Sequence, residues 1–315
     1  MVGLVVDAVV IGRNEGARLE ACLRSLQGQV RRVVYVDSGS VDGSVAAARA
    51  LGAEVVALDL TQPFTAARAR NAGLAVLQAP EFVQFVDGDC VVDPGWIEAG
   101  LAGFAAHPAA VVICGRRRER FPAVSVYNRL ADREWDTPVG QAAACGGDAL
   151  MRFAAVQAVG GYRGDLIAGE EPELCLRLRR AGGEVWRIAA EMTLHDAALL
   201  RFGQWWQRMR RAGHAFAEGA ALHGAGPDRH WLAETRRAVF WGVVLPVGCG
   251  VLTAVTPFGL LLATAYPLQV LRLARRGGWE WAVFTVIGKF AEAQGVFGYW
   301  FDRLRGRRRG LIEYK

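Results

Sequence analysis

The chain has 315 residues, 52% of them hydrophobic and 22% charged, with a formal net charge of +6 at neutral pH. That composition excludes a disordered segment, a collagen-like repeat and a small disulfide scaffold, and the length allows one large domain or two modest ones. The averages hide an uneven distribution. No charged residue and no histidine lies between Arg237 and Arg272, and five arginines fall from Arg303 to Arg309.

Six cysteines (Cys22, Cys90, Cys114, Cys145, Cys175 and Cys249) are scattered without a Cys-x-x-Cys pair or a histidine cluster, a pattern of free thiols in a reducing compartment. No basic stretch precedes the first apolar run, and Asp7 interrupts it, which argues against a cleaved signal peptide and for a chain that begins in the cytoplasm.

Residues 5–11 are apolar except for Asp7 and lead to Gly12, which predicts a strand buried on both faces. Asn14 can then accept from the free amides of a following turn, and Leu19, Cys22, Leu23 and Leu26 recur at helical spacing before Gly28. Residues 33–36 predict a second strand, Asp42 the cap of a helix ending at Gly52, and residues 54–58 a third strand. A helix over 65–77, a strand over 82–86, a helix over 94–104 and a strand over 110–114 complete the series. Such alternation predicts an α/β fold with a doubly wound, mostly parallel sheet flanked by helices, in which ligands bind at the carboxyl ends of the strands.

The residues after those strands are polar and mostly acidic: Arg13-Asn14-Glu15, then Asp37 to Ser44, then Asp87-Gly88-Asp89. Neither a Gly-x-Gly-x-x-Gly turn nor a Gly-Lys-Ser/Thr loop follows the first strand, so NAD and Walker-type ATP sites are not expected. Two carboxylates flanking one small residue suit Mg²⁺ or Mn²⁺, whose other positions go to water and substrate phosphates. The same residue types also occur in plain turns.

Taken together, Val33-Val34-Tyr35-Val36-Asp37-Ser38-Gly39-Ser40-Val41-Asp42-Gly43-Ser44, then Ala69-Arg70-Asn71-Ala72-Gly73, then Phe85-Val86-Asp87-Gly88-Asp89-Cys90 resemble the family 2 glycosyltransferases with the GT-A fold. The likeness covers roughly residues 5–200, where the matching motifs stop. It implies transfer of a sugar from a nucleotide-diphosphate donor with inversion at the anomeric carbon. It further implies that Asp37 contacts the nucleobase, with Asn14 and Glu15 forming the wall beside it. Arg70, with Arg68 as a second, is implied near the base and phosphates, Asp87 near the ribose, and Asp89 on the divalent cation. Asp42 reads as a helix cap only.

Gly146-Gly147-Asp148 precede an apolar helix over 153–159, and Gly169-Glu170-Glu171-Pro172-Glu173 open another that ends near Gly182. Acids in a first turn complement the helix dipole. The resemblance implies more: this stretch is similar to the family's Glu-Asp signature, whose second acid deprotonates the acceptor hydroxyl, so Glu171 is the expected base and Glu170 the alternative. Gly146, Gly147 and Asp148 are then expected to floor and wall the acceptor site. His195, followed by Asp196 after a strand-like stretch over 184–188, is expected either as a metal ligand or as a structural histidine.

Residues 202–211 are aromatic and basic, fitting an interfacial helix or an acceptor-binding lip. The charge-free run over 238–271 is long enough for one membrane-spanning helix and approaches two short ones, while Pro246, Pro257 and Pro267 leave a re-entrant hairpin open. Residues 281–301 contain Lys289 and Glu292 and read as amphipathic; Arg272, Arg275, Arg276 and the Arg303 to Arg309 cluster are expected on anionic lipid at the cytoplasmic face. No nucleic-acid-binding motif accompanies the arginines. The expected organisation is a catalytic domain over 1–200, interfacial linker helices over 201–235 and an apolar membrane module with a basic tail over 236–315.

These features predict a membrane-associated, metal-dependent glycosyltransferase acting on a nucleotide-sugar and a lipid-linked or glycan acceptor. A sugar nucleotidyltransferase shares the α/β plan and the Asp-linked metal, but its usual Gly-rich, basic loop after the first strand has a poor counterpart in Arg13-Asn14-Glu15. A degenerate membrane scaffold is disfavoured by intact acids at every matched position.

Overall fold

A computed structural model describes residues 5–307, 310 and 312; residues 1–4 of the N-terminal reading, and Arg308 and Arg309 of the basic cluster, lie outside the described residues. The chain divides into two compact units, one running to Leu166 and including Glu170–Ala198, the other comprising Ile167–Gly169 and the chain from Leu199 onward.

The first unit is built in chain order from β1 (Val6–Gly12), α1 (Ala17–Leu26), β2 (Arg32–Asp37), α2 (Ser44–Ala50), β3 (Glu54–Ala57), α3 (Ala66–Ala75), β4 (Phe82–Asp87) and β5 (Cys90–Val92). It continues with α4 (Trp96–Ala106), β6 (Ala110–Glu119), α5 (Val126–Trp135), β7 (Gly140–Gln141), β8 (Ala149–Arg152), α6 (Phe153–Ala158), α7 (Glu170–Arg180) and β9 (Glu184–His195). One sheet has the order β3-β2-β1-β4-β8-β6-β9-β5, with β7 pairing β9. Strand β1 sits between β2 and β4, parallel to both, and Val6, Ala8, Val9 and Val10 are buried. Asp7 lies within this apolar strand because Arg31 binds both of its carboxylate oxygens, at 2.9 and 2.7 Å, which offsets the cost of burying the charge.

The sheet is mixed, and less parallel than the alternation predicts. Strand β8 runs antiparallel between β4 and β6, and β5 and β7 run antiparallel to β9. These strands are two to four residues long, too short for a periodic signal. Strands β6 and β9 are longer than expected, reaching Glu119 and His195. Asn14 does not cap α1: its Oδ1 accepts from the Val41 amide at 2.8 Å, and its own amide donates to Ser40 Oγ, so it joins the loops after β1 and β2. Leu19, Cys22, Leu23 and Leu26 do form the buried face of α1. Thr65 caps α3 by accepting from the Arg68 amide at 3.1 Å.

The second unit contains α8 (Phe202–His223), α9 (Leu232–Val239), α10 (Leu245–Val255), α11 (Ala265–Gly277) and α12 (Trp279–Leu304). Helix α8 is longer than the interfacial stretch expected over 202–211 and packs on α12. A Cβ at Gly213 would lie 1.9 Å from Glu292 O, and one at Gly295 would lie 2.0 Å from Arg210 O, so the glycines allow backbone contact. Trp205 meets Phe284 edge-on at 5.1 Å, and Trp206 Nε1 donates to Gln294 at 2.9 Å. Residues Leu232–Val255 and Pro257–Gly277 form two helical stretches long and apolar enough to cross a membrane. A π-helical turn over Phe240–Val244 precedes Pro246, a local irregularity of the kind that accommodates a missing amide. Val247, Val251, Val255, Phe258, Leu260 and Leu261 of these stretches are exposed.

Candidate active site

The carboxyl end of β4 turns sharply through Asp87-Gly88-Asp89 into β5. The first acid is claimed by arginines. Arg70 Nη2, from α3, donates to Asp87 Oδ1 at 2.8 Å, and Arg117 Nη2, from the end of β6, lies 3.4 Å from Asp87 Oδ2. Burial alone raises the carboxyl, yet the two guanidinium groups outweigh it and hold Asp87 below the usual carboxylate range. The second acid faces elsewhere. Because Cys90 of β5 stands opposite His195 of β9, His195 Nε2 comes to 3.2 Å from Asp89 Oδ2, and both groups are buried. Trp135 packs edge-on against the His195 ring at 4.8 Å and lies under the Arg117 guanidinium, 4.9 Å from the ring centre.

This division decides which groups suit a cation. Asp89, Cys90 and His195 offer ligand atoms that all lie within 4.8 Å of one another. The carboxylate oxygen suits Mn²⁺ or Mg²⁺, hard ions that take oxygen ligands at their other positions, and the imidazole nitrogen adds a donor that Mn²⁺ accepts more readily than Mg²⁺.

Arg70 does not lie on a solvated helix face. It is 2% exposed, its Nη1 donates to Glu170 Oε1 at 2.7 Å, and its guanidinium lies 5.5 Å from the centre of the Tyr162 ring. Arg68, two residues away on the other side of α3, donates to the carbonyls of Asp59, Gln62 and Pro63 and so holds the preceding loop. It does not join Arg70. Asp37 ends β2 with both oxygens engaged: Tyr35 Oη donates to Oδ1, and the Gly39 and Ser40 amides donate to Oδ2, each at 3.0 Å. Next to it, the Ser38 hydroxyl is buried with no hydrogen-bond partner among the described residues. Glu15 pairs with Arg18 at 2.7 Å. A Cβ at Gly88 would touch the Glu15 side chain at 3.5 Å, so Glu15 lies near the β4 turn.

Asp148, expected with Gly146 and Gly147 at the acceptor site, lies inside the protein. It is fully buried; Oδ1 accepts from the Asp87 amide at 3.0 Å, and Oδ2 accepts from Thr193 Oγ1 at 2.8 Å. Its carboxylate braces the turn after β4 against β9. Gly146 has φ +91°, and a Cβ at Gly147 would lie 2.9 Å from Asp87 Oδ2 and 3.1 Å from Arg117 Nη1. The 146–147 backbone therefore passes directly beside the Asp87 ion pairs.

Helix α7 starts with the two candidate bases, and their surroundings differ. Glu170 is ion-paired to Arg70, whereas Glu171 is 6% exposed and its Oε1 accepts from the Cys145 amide at 2.7 Å and from the Cys145 and Cys175 thiols at 3.0 Å each. Burial pushes the Glu171 carboxyl up, and the hydrogen bonds from Cys145 pull it back only in part. Cys145 and Cys175, which the sequence leaves as scattered thiols, have sulfurs 3.6 Å apart. Arg117 and Trp135 are site residues that sequence reasoning missed. The Arg116-Arg117-Arg118 run beyond the expected end of β6 was the available signal.

Residues 7–156 match the family model described as glycosyl transferase family 2. The chain is 28% identical over 303 residues to the pre-mycofactocin glycosyltransferase of Mycobacterium tuberculosis, the match covering 88% of this chain and 63% of that protein. It thus spans less than two thirds of that relative's length. It is also 26% identical over 302 residues to the succinoglycan biosynthesis protein ExoA of Rhizobium meliloti, covering 84% of this chain and 91% of the other. A solved mannosyltransferase from Pyrobaculum calidifontis, in complex with GDP-Man and Mn²⁺, superimposes with a TM-score of 0.67 at 20% identity over 93% of this chain and 86% of that one.

Proposed function

We propose, for a chain whose residues 7–156 belong to glycosyltransferase family 2 and whose fold is of the GT-A type, that it moves a sugar from a nucleotide-diphosphate donor to a lipid-linked or glycan acceptor. The observation that carries this reading is the unequal pair in Asp87-Gly88-Asp89: one acid is held by Arg70 and Arg117, the other stands 3.2 Å from His195. Acids used only to close a turn have no need of two arginines and a histidine drawn from α3, β6 and β9 as direct partners.

In this reading Asp89 and His195 hold a divalent cation. When bound, such an ion neutralises the departing diphosphate, and the GDP-Man and Mn²⁺ in the Pyrobaculum enzyme support that pairing of donor and ion. Asp37 and the free Ser38 hydroxyl, with Asn14 and Glu15 nearby, take the nucleoside end; Arg70 and Asp87 orient the phosphates and ribose, and Arg68 shapes the adjoining loop. Gly146 and Gly147 give the acceptor close access, with Asp148 behind them. Glu171 takes the proton from the attacking acceptor hydroxyl, because it combines burial with a raised carboxyl, whereas Glu170 is neutralised by Arg70. A single base opposite the leaving diphosphate gives inversion.

The two apolar stretches Leu232–Val255 and Pro257–Gly277 support attachment to the cytoplasmic face of the inner membrane, with Arg272, Arg275, Arg276 and the Arg303 region on anionic lipid. The deciding experiment is a thermal-shift panel of nucleoside diphosphates with Mn²⁺ on the detergent-purified chain. A metal-dependent rise in melting temperature with one base is expected; no rise with any of them would end the proposal.

A further inference from the structure

We propose that Cys145, Cys175 and Glu171 form a binding site for a thiophilic divalent cation, with Zn²⁺ as the type. The three side chains come from the loop before β8 and from successive turns of α7, and their ligand atoms all lie within 4.8 Å of one another. The two sulfurs are 3.6 Å apart, and each is 3.0 Å from Glu171 Oε1. Around a tetrahedral zinc with Zn–S of about 2.3 Å and Zn–O of about 2.1 Å, the S···S edge is about 3.8 Å and the S···O edge about 3.6 Å. To take the ion, the observed triangle must open by about 0.2 Å along the S···S edge and by about 0.6 Å along each S···O edge.

The donor set is that of zinc. Two thiolates and one carboxylate give three protein ligands, and the fourth tetrahedral position is left for water. Access comes from the Cys145 side: that residue is only half-buried, while Cys175 and Glu171 are buried. Binding involves no redox change. Each thiol gives its proton to solvent, both sulfurs and Oε1 donate electron pairs to the ion, and the S–H···O bonds are replaced by bonds to the metal. Although the hydrogen bond with Cys145 lowers it, burial and the Glu171 charge push the Cys175 thiol up to about 11. In the structure both thiols donate to Glu171 Oε1. The cluster is separate from the Asp89 and His195 pair, which contributes oxygen and nitrogen donors from β9 and the β4 turn.

The site stands on geometry alone. Its effect on turnover rests on the proposed role of Glu171: a cation there occupies the carboxylate oxygen lone pair and withdraws the base, so zinc inhibits transfer while Mn²⁺ supports it.

Co²⁺ titrated into the full-length protein under reducing conditions reports the ligands directly, because only thiolate coordination gives a strong near-ultraviolet charge-transfer band. One equivalent of band-forming Co²⁺, displaced by Zn²⁺, is expected. The band should disappear in C145S and C175S and persist in C90S and D89N, which alter the other group of ligands. Absence of the band, its survival in both C145S and C175S, or its loss in C90S alone overturns the site. If one serine variant fails to fold by circular dichroism, the other decides. Micromolar Zn²⁺ should inhibit the wild type at least tenfold more strongly than C145S; a band without inhibition keeps the cation site and removes Glu171 as the base.

Discussion

The Arg70 guanidinium bridges Asp87, at 2.8 Å, and Glu170, at 2.7 Å, from a position only 2% exposed to solvent. One cation thus joins the donor-side turn after β4 to the first turn of α7. Removing it leaves Glu170 without its cation and Asp87 with Arg117 alone, so Arg70→Gln should lower the stability of the first unit by about 3–5 kcal/mol, read by urea denaturation. Arg70→Lys should recover part of this, because an ammonium lacks the planar fork that serves both partners.

Asp89 and His195 make a separate prediction about metal. Asp89→Asn and His195→Ala should each weaken Mn²⁺-dependent nucleoside-diphosphate binding at least tenfold in calorimetry, an effect of about 1.4 kcal/mol. Binding of the nucleotide without metal should change little. Equal losses in both conditions would assign the pair to general folding.

The pH dependence follows from Glu171. Its carboxyl is raised by burial, and only the ionised form accepts a proton. Activity should therefore fall on the acid side along a limb lying above the ordinary glutamate value of about 4.3. Glu171→Gln should lower kcat by about 10²–10⁴-fold with little change in donor KM. The opposite split, a large effect for Glu170→Gln and a small one for Glu171→Gln, would move the base by one residue.

Asp87 titrates in the other sense. Its folded value lies below its unfolded value, so the stability it contributes is fully present above about pH 3.9 and is lost as pH falls through the folded value. Asp87→Asn should flatten the acid limb of a melting-temperature profile. An unchanged profile would show that Arg70 and Arg117 find other partners.

In the second unit, Gly213→Ala should be strongly destabilising, by about 1–3 kcal/mol or more, since its new methyl would meet the Glu292 carbonyl. Gly203→Ala on the same helix meets nothing within 4 Å and serves as the control. The comparison is a thermal melt of both variants in detergent.

What the residues disclosed in advance depended on how locally each feature is determined. Strands β1, β2 and β4 were legible because burial on both faces writes an apolar run, and α1 because its buried stripe repeats at helical spacing. Strands β5 and β8 were not, because three or four residues carry no period and their pairing partners are distant in the chain. Arg117 was hidden for a related reason. Across Arg116, Arg117, Arg118 and Glu119 the strand pairs with β9 and is supported by side chains such as Asp132 and Glu191, so four charged residues beyond the expected end at 114 continue β6. The Cys145 and Cys175 contact was equally out of reach, since thirty positions separate its members.

Gly147 has one more implication. Any side chain there would push into the Asp87 oxygen and the two arginine groups that restrain it. The chain has therefore given up this position as a place to adjust fit: any enlargement there would disturb the Asp87 ion pairs in the same stroke. In the proposed site, acceptor fit is then set by neighbours that vary without touching Asp87, while position 147 acts as a fixed spacer.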